Sequence, residues 1–274
     1  THCSFLERWR RMKDRIAELI HHTKPIMITA AVCLFFLSAT VLLGSHIQNL
    51  RDAKTLADLA NARKKPAVHD YVTAADGKPI LREYAELYNT NPDFIGWLEI
   101  EGTVINYPVM YTPHDEEYYI NRDFYGKSSS NGTLFVDADC AFNPVSDNII
   151  IYGHNKANGS MFSSLLNYKD KDYYRNHRII RFDTIYGKGS YEIIAVFYSR
   201  VYRKSDNVFK FYNFIDAGNK EEFDSFIRNI KALSLYDTGV DAEYGDKLIT
   251  LCTCTNDGNH GRFVVVAKAV ARQS

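Results

Sequence analysis

Two stretches near the C-terminus, Thr250-Leu251-Cys252-Thr253-Cys254 and Arg262-Phe263-Val264-Val265-Val266-Ala267, set the reading of this 274-residue chain. An apolar, strand-like segment ends in a cysteine, and the next begins with an arginine. A third segment of the same kind, Asn148-Ile149-Ile150-Ile151-Tyr152-Gly153, runs into His154. Short runs rich in β-branched and aromatic residues, bounded by turn residues, read as strands. Working outward, eight such segments emerge, at 96–100, 104–110, 133–136, 148–154, 178–182, 191–199, 247–254 and 263–270. Helices do not alternate regularly with them, so the expected fold is mainly β, a closed eight-stranded barrel rather than a doubly wound sheet. A short helix is expected at 161–166. A longer one is expected at 220–232, with Phe223, Phe226, Ile227 and Ile230 on one side. Residues 80–88 have helical spacing, stopped by the Asn89 to Pro92 segment, and 66–79 reads as a linker by composition.

The strand-edge positions of Cys254, His154 and Arg262 carry the chemistry. A rigid sheet can hold three such groups together. A thiol needs a base or a cation nearby to become a nucleophile. A guanidinium can neutralise a developing oxyanion and offers a planar set of donors that lysine lacks.

Formal charge is zero overall but unevenly placed. Residues 1–24 carry six basic and three acidic groups, a net +3, so the remainder carries −3. No concentrated basic face emerges, which argues against a nucleic-acid binder. Residues 25–44, PIMITAAVCLFFLSATVLLG, hold no charge. A helix of that length, at about 1.5 Å per residue, spans the roughly 30 Å of a hydrocarbon core. The basic flank before it favours a cytoplasmic N-terminus, although Arg51, Lys54, Arg63, Lys64 and Lys65 follow on the other side. A cleaved signal peptide competes with this reading, but the apolar run is long for one and no small-x-small site closes it. The expected layout is a cytoplasmic segment 1–24, a single-pass membrane anchor 25–44 in contact with lipid, a stalk and linker 45–79, and an extracellular catalytic domain 80–274. Leu50, Leu56, Leu59 and Ala60 share one face of a helix in the stalk. The five cysteines show no disulfide framework.

The TLCTC string with Arg262 eight residues after Cys254, and the Tyr152-Gly153-His154-Asn155 segment upstream, resemble the cysteine, arginine and histidine motifs of sortases. The apolar N-terminus, the helices before the barrel and the long helix before the cysteine strand resemble class B sortases in particular, over roughly residues 80–270. The resemblance implies a membrane-anchored transpeptidase on the outer face of a Gram-positive cell. It implies Cys254 as nucleophile, His154 as general acid and base, and Arg262 as the oxyanion or substrate clamp. The expected substrate is a C-terminal sorting signal of the NPxTN or NPxTG kind, cleaved after threonine through a thioacyl-enzyme. The acceptor amine is that of a cell-wall precursor, or alternatively of a pilin lysine. The class requires no cofactor and no metal.

Some positions keep more than one reading. Where class B members often carry serine two residues before the nucleophile, this chain has Cys252. In an extended strand Cys252 and Cys254 face the same way. Cys252 is a filler beside the nucleophile, a redox partner, or a metal ligand with Cys254 and His260; the filler reading leads, because a strand-borne C-x-C with one histidine falls short of a closed zinc set. His260 is the rival base, but it sits in a turn, whereas a base needs a fixed position. Tyr152 shares a strand face with His154 and lines the groove or fills core. Ile120 is placed in the apolar pocket for the signal's proline. Asp257, in the loop between Cys254 and Arg262, receives no role. A hydrolytic cysteine peptidase and a non-catalytic wall-binding barrel are the remaining alternatives.

Overall fold

The structure, a computed structural model, describes residues 2–63, 70–74, 76–255 and 260–271. It divides into two compact units, Thr1–Arg51 and Asp52–Ser274. The first unit consists of helix α1 (His2–Ala62) as far as Arg51. Leu34, Phe35, Phe36, Leu42 and Leu43 on this helix are all exposed. Its length and composition are sufficient to cross a membrane. Leu50 is exposed as well, so the apolar face expected for the stalk begins only at Leu56 and Leu59, which pack in the second unit.

The second unit is built on a closed barrel. Its strands are β3 (Phe94–Glu99), β4 (Asn106–Met110), β5 (Leu134–Val136), β6 (Asn148–Tyr152), β7 (Ile179–Thr184), β8 (Ser190–Arg200), β9 (Leu248–Cys254) and β10 (Gly261–Val270). They close in the order β10-β8-β7-β3-β4-β5-β6-β9. All eight expected strands are present, with ends displaced by one or two residues at most positions. The pairs β4–β5 and β6–β9 are parallel; the others are antiparallel. A parallel pair cannot be joined by a tight turn. The β4–β5 crossover carries a 3-10 segment, Glu116–Asn121.

Alternation along the strands separates two cores. Ile249, Leu251, Phe263 and Val265 point into the main core. Leu248, Cys252, Val264 and Val266 lie on the opposite face, beneath helix α4 (Lys220–Leu233). Phe223, Phe226, Ile227 and Ile230 form the buried stripe of α4, at the spacing a helix requires. Fully burying one such side chain contributes about 1.5–3 kcal/mol. Asn219 caps α4 by accepting from the Glu222 backbone N–H at 3.0 Å, and Glu222 reaches back to the Gly218 N–H at 2.9 Å. This reciprocal arrangement fixes where the helix starts.

The N-terminal part of the unit differs from expectation. Residues 66–69 and 75 of the expected linker lie outside the described residues, but within the rest β1 (Tyr71–Thr73) and β2 (Pro79–Leu81) pair as antiparallel strands. The expected helix over 80–88 is a strand end, a 3-10 turn (Arg82–Tyr84) and then α2 (Ala85–Thr90). The reason is tertiary: the Leu81 N–H donates to the Ile185 carbonyl and the Arg82 N–H to the Asp70 carbonyl, both at 2.8 Å. The short helix expected at 161–166 is a 3-10 segment, Ser163–Lys169, and α3 (Lys171–Asn176), capped by Asp170, follows it. Cys140 sits in the loop before β6 and is buried; its Sγ lies 3.5 Å from the Asn148 carbonyl.

Candidate active site

Strand register brings the expected residues together. In β9 and β10, Cys254 and Arg262 are directly opposed. Opposed residues in an antiparallel pair share a face, with Cβ atoms about 4.5–5.5 Å apart. On the other side of β9, parallel β6 sets Tyr152 beside Cys252. The same register carried two residues further brings His154 alongside Cys254. Three bonds hold it: Gly153 N–H to the Cys252 carbonyl at 3.2 Å, Thr253 Oγ1 to the Gly153 carbonyl at 2.7 Å, and Asn155 Nδ2 to the Cys254 carbonyl at 3.2 Å. Gly153 is required where β6 leaves the wall. A Cβ there would lie 2.4 Å from Leu134 Cδ2 and 2.7 Å from Phe162 Cδ2.

These residues line one cavity of about 290 Å³ on the outer face of the barrel. Cys254 is exposed at its edge, and Cys252 is buried at its floor. Burial pushes the Cys252 thiol up to about 12, although Arg262 nearby works against that shift. Arg262 Nη1 donates to the Gly261 carbonyl at 3.1 Å and makes no ion pair among the described residues. Tyr152, also in the cavity wall, donates its hydroxyl to Asp137 at 2.8 Å. Ile120 contributes its side of the wall from the 3-10 segment. His260 is described, with a backbone φ of 54°, and does not line the cavity. Asp257 lies outside the described residues. No cluster of metal-ligating side chains occurs among the described residues.

The electrostatics of His154 follow from its surroundings. Nε2 lies 2.6 Å from the Ile120 carbonyl. A carbonyl only accepts, so Nε2 carries the proton, and in the neutral ring Nδ1 keeps the lone pair. Burial lowers the histidine below its ordinary value; the Ile120 carbonyl opposes this, and the charge of Lys156 reinforces it.

Several lining residues had no sequence signal. Glu116 and Glu117 stand in the wall, as do Thr133, Phe135, Val201, Phe211 and Tyr212. Burial, together with Asp137, Asp139 and Glu117, raises Glu116 to about 7. Nothing in the local sequence distinguishes Glu116 from Glu117; only the crossover places one of them against Asp137.

Comparison with known proteins identifies the family. The sortase domain family matches residues 98–270. Sortase B of Staphylococcus aureus (strain NCTC 8325 / PS 47) is 30% identical over 215 residues, covering 77% of this chain and 84% of that protein. Sortase B of Listeria monocytogenes serovar 1/2a is 28% identical over 249 residues, covering 89% and 96%. The solved Staphylococcus aureus sortase B–substrate complex superposes with a TM-score of 0.71 at 25% identity, covering 83% of this chain and 100% of that one. The chain belongs to the sortase family, and its relatives place it in class B. It is therefore a sortase-type cysteine transpeptidase of the kind that anchors surface proteins.

Proposed function

We propose that this sortase uses Cys254, His154 and Arg262 to cleave an NPxTN- or NPxTG-like sorting signal after its threonine and to transfer the protein to an amine of a cell-wall precursor. The observation that carries the reading is the convergence of these side chains on one cavity, through the registers β6–β9 and β9–β10. The Cys254 thiol gives its proton to His154, and the thiolate attacks the threonine carbonyl, forming a C–S bond. Arg262, with no carboxylate holding it among the described residues, turns toward the oxyanion. The intermediate collapses as His154 protonates the departing amine. The incoming amine gives its proton to His154, attacks the thioacyl carbonyl and releases the thiolate. The Ile120 carbonyl serves as the orienting third group: it fixes one N–H of the ring and leaves the other nitrogen to the reaction. Tyr152 and Ile120 line the path of the signal, and Cys252 fills the floor beneath it. The exposed apolar helix supports a single-pass anchor at 25–44, with residues 1–24 cytoplasmic and the catalytic domain from about residue 80 outside the cell.

The test is single-turnover trapping of the thioacyl-enzyme with a signal peptide, followed by product analysis with and without an added amine. Cys254→Ala abolishes the adduct with an unchanged melting transition. Retained turnover in that variant refutes the assignment. Product carrying only a free carboxylate, even at high amine concentration, makes the protein a hydrolase instead.

A further inference from the structure

The final turns of α1 reach toward the catalytic histidine through a chain of hydrogen bonds. Asp52 is buried, and its Oδ2 accepts from Ser129 Oγ and Asn131 Nδ2, each at 2.7 Å. Both donors are themselves buried and lie in the β4–β5 crossover. The loop they belong to, 128–133, wraps the 3-10 segment. The Ser129 N–H donates to the Asn121 carbonyl at 3.0 Å and the Thr133 N–H to the Tyr119 carbonyl at 3.0 Å. Between these bonds sits the Ile120 carbonyl, held on one side by His154 Nε2 at 2.6 Å. On its other side is Gly132, with a backbone φ of +64°, where a Cβ would come within 2.4 Å of the Ile120 oxygen. The carbonyl that orients the imidazole is thus packed between the histidine and a loop pinned by Asp52.

We propose that Asp52 is a positioning residue for His154: from the last turns of α1 it fastens loop 128–133, and that loop holds the Ile120 carbonyl against the imidazole. The inference rests on His154 acting in the acyl transfer. It adds that the helix leading into the barrel is part of the apparatus that aligns the site, so that its docking sets the competence of the histidine. Asp52 is not itself a lining residue of the cavity. Its effect travels through the backbone bonds from Ser129 and Thr133 to the 3-10 segment. A shift of about 1 Å in a reacting group can cost about a hundredfold in rate, so partial loosening of the loop is expected to lower turnover roughly tenfold.

The test uses the full 274-residue chain in detergent micelles. Two readouts are taken: the pH profile of Cys254 alkylation by iodoacetamide, resolved by mass spectrometry, and the ring-proton titration of His154 by nuclear magnetic resonance, assigned with His154→Gln. Charged and titratable groups facing His154 are Lys156 on its own loop, Glu116 and Glu117 on the 3-10 segment, Cys254 on β9 and Arg262 on β10. Asp52→Ala moves the Cys254 profile in the direction that His154→Gln does and displaces the His154 midpoint downward, because the Ile120 bond that favours the charged ring is weakened. Asp52→Asn, whose amide oxygen can take both donors, restores both readouts. If Asp52→Ala melts before assay, Gly132→Ala replaces it, since its Cβ presses on the Ile120 oxygen directly. Wild-type profile and midpoint in folded Asp52→Ala, alongside an altered His154→Gln, overturn the positioning role alone. A wild-type Cys254 profile and turnover in His154→Gln overturn the assignment of His154 itself.

Discussion

Gly153→Ala is a direct trial of the register argument. The added Cβ would sit 2.4 Å from Leu134 Cδ2, and 2.7 and 2.9 Å from Phe162 Cδ2 and Cγ. Apolar carbons prefer about 3.5–4.0 Å, so each neighbour must give by roughly 1 Å. Neither has room, because Leu134 and Phe162 are both fully buried. Overpacking of this kind costs about 1–3 kcal/mol. For a unit of this size each kcal/mol lowers the melting temperature by about 2–4 °C, so a fall of roughly 2–12 °C is expected. The cheapest relief is to push the 153–154 peptide outward, away from Leu134. That movement carries His154 off Cys254, so turnover falls by about ten- to a hundredfold. Differential scanning calorimetry and peptide turnover measure the two effects on one preparation. Gly187→Ala is the control: nothing lies within 4 Å of a Cβ there, and the change is expected within about 0.5 kcal/mol of wild type. If Gly153→Ala melts and turns over like wild type, the exit of β6 has slack, and the close approach of His154 to β9 does not fix the site.

Arg262→Lys should lose most turnover while preserving the fold, because an ammonium lacks the planar set of donors that a guanidinium presents to the oxyanion; a stopped assay and a melt check it. Iodoacetamide on the native protein should modify Cys254 but leave Cys252 intact until denaturant is added, since Cys252 is buried and its thiol is raised to about 12; tryptic mass mapping distinguishes the two. Glu116 is held near 7 in the folded chain against 4.5 in the free side chain. Between those values the folded state keeps a proton that the unfolded state has lost, so stability falls as pH rises from 4.5 to 7. Glu116→Gln should therefore melt higher than wild type at pH values above that window and show little gain below it. For His154 the folded value lies below 6.5, so on acidification the unfolded chain binds the proton first and stability drops in the window just under 6.5; His154→Gln should flatten that limb of the melting-temperature profile.

The barrel was legible because its strands are short, β-branched and punctuated by turns, and because the covering helix carries a clean stripe at Phe223, Phe226, Ile227 and Ile230. Where the fold departs from the sequence reading, long-range backbone bonds decide. Residues 80–88 have the apolar spacing of a helix, yet the Leu81 and Arg82 N–H groups are claimed by Ile185 and Asp70. Apolar periodicity carries no trace of such partners. The same holds for the site. Cys254, His154 and Arg262 stand out by chemical type and strand position, whereas Glu116 becomes distinctive only when the crossover sets it against Asp137. Asp52 looks like one more polar residue of a stalk until Ser129 and Asn131 are seen to close on it.

The placement of the site follows from the mixed topology of the barrel. Parallel strands deliver their C-terminal ends to the same edge, so β6 and β9 can bring His154 and Cys254 together although a hundred residues separate them. The antiparallel partner β10 begins where β9 ends, so Arg262 arrives on the same edge from the opposite direction. An all-antiparallel barrel with the same sequence motifs would send the ends of β6 and β9 to opposite rims. Alternation then selects the face. Leu251 and Thr253 turn away from the side that Cys252 and Cys254 share, so a slip of one residue in β9 would take the sulfur at 254 off the cavity. The bonds from Thr253 to Gly153 and from Asn155 to the Cys254 carbonyl resist that slip at the strand end, where few other ladder bonds remain. Thr253 thus acts through its side chain on the backbone: it ties the turn that carries His154 to the strand that carries Cys254 at the one register that sets the two side by side.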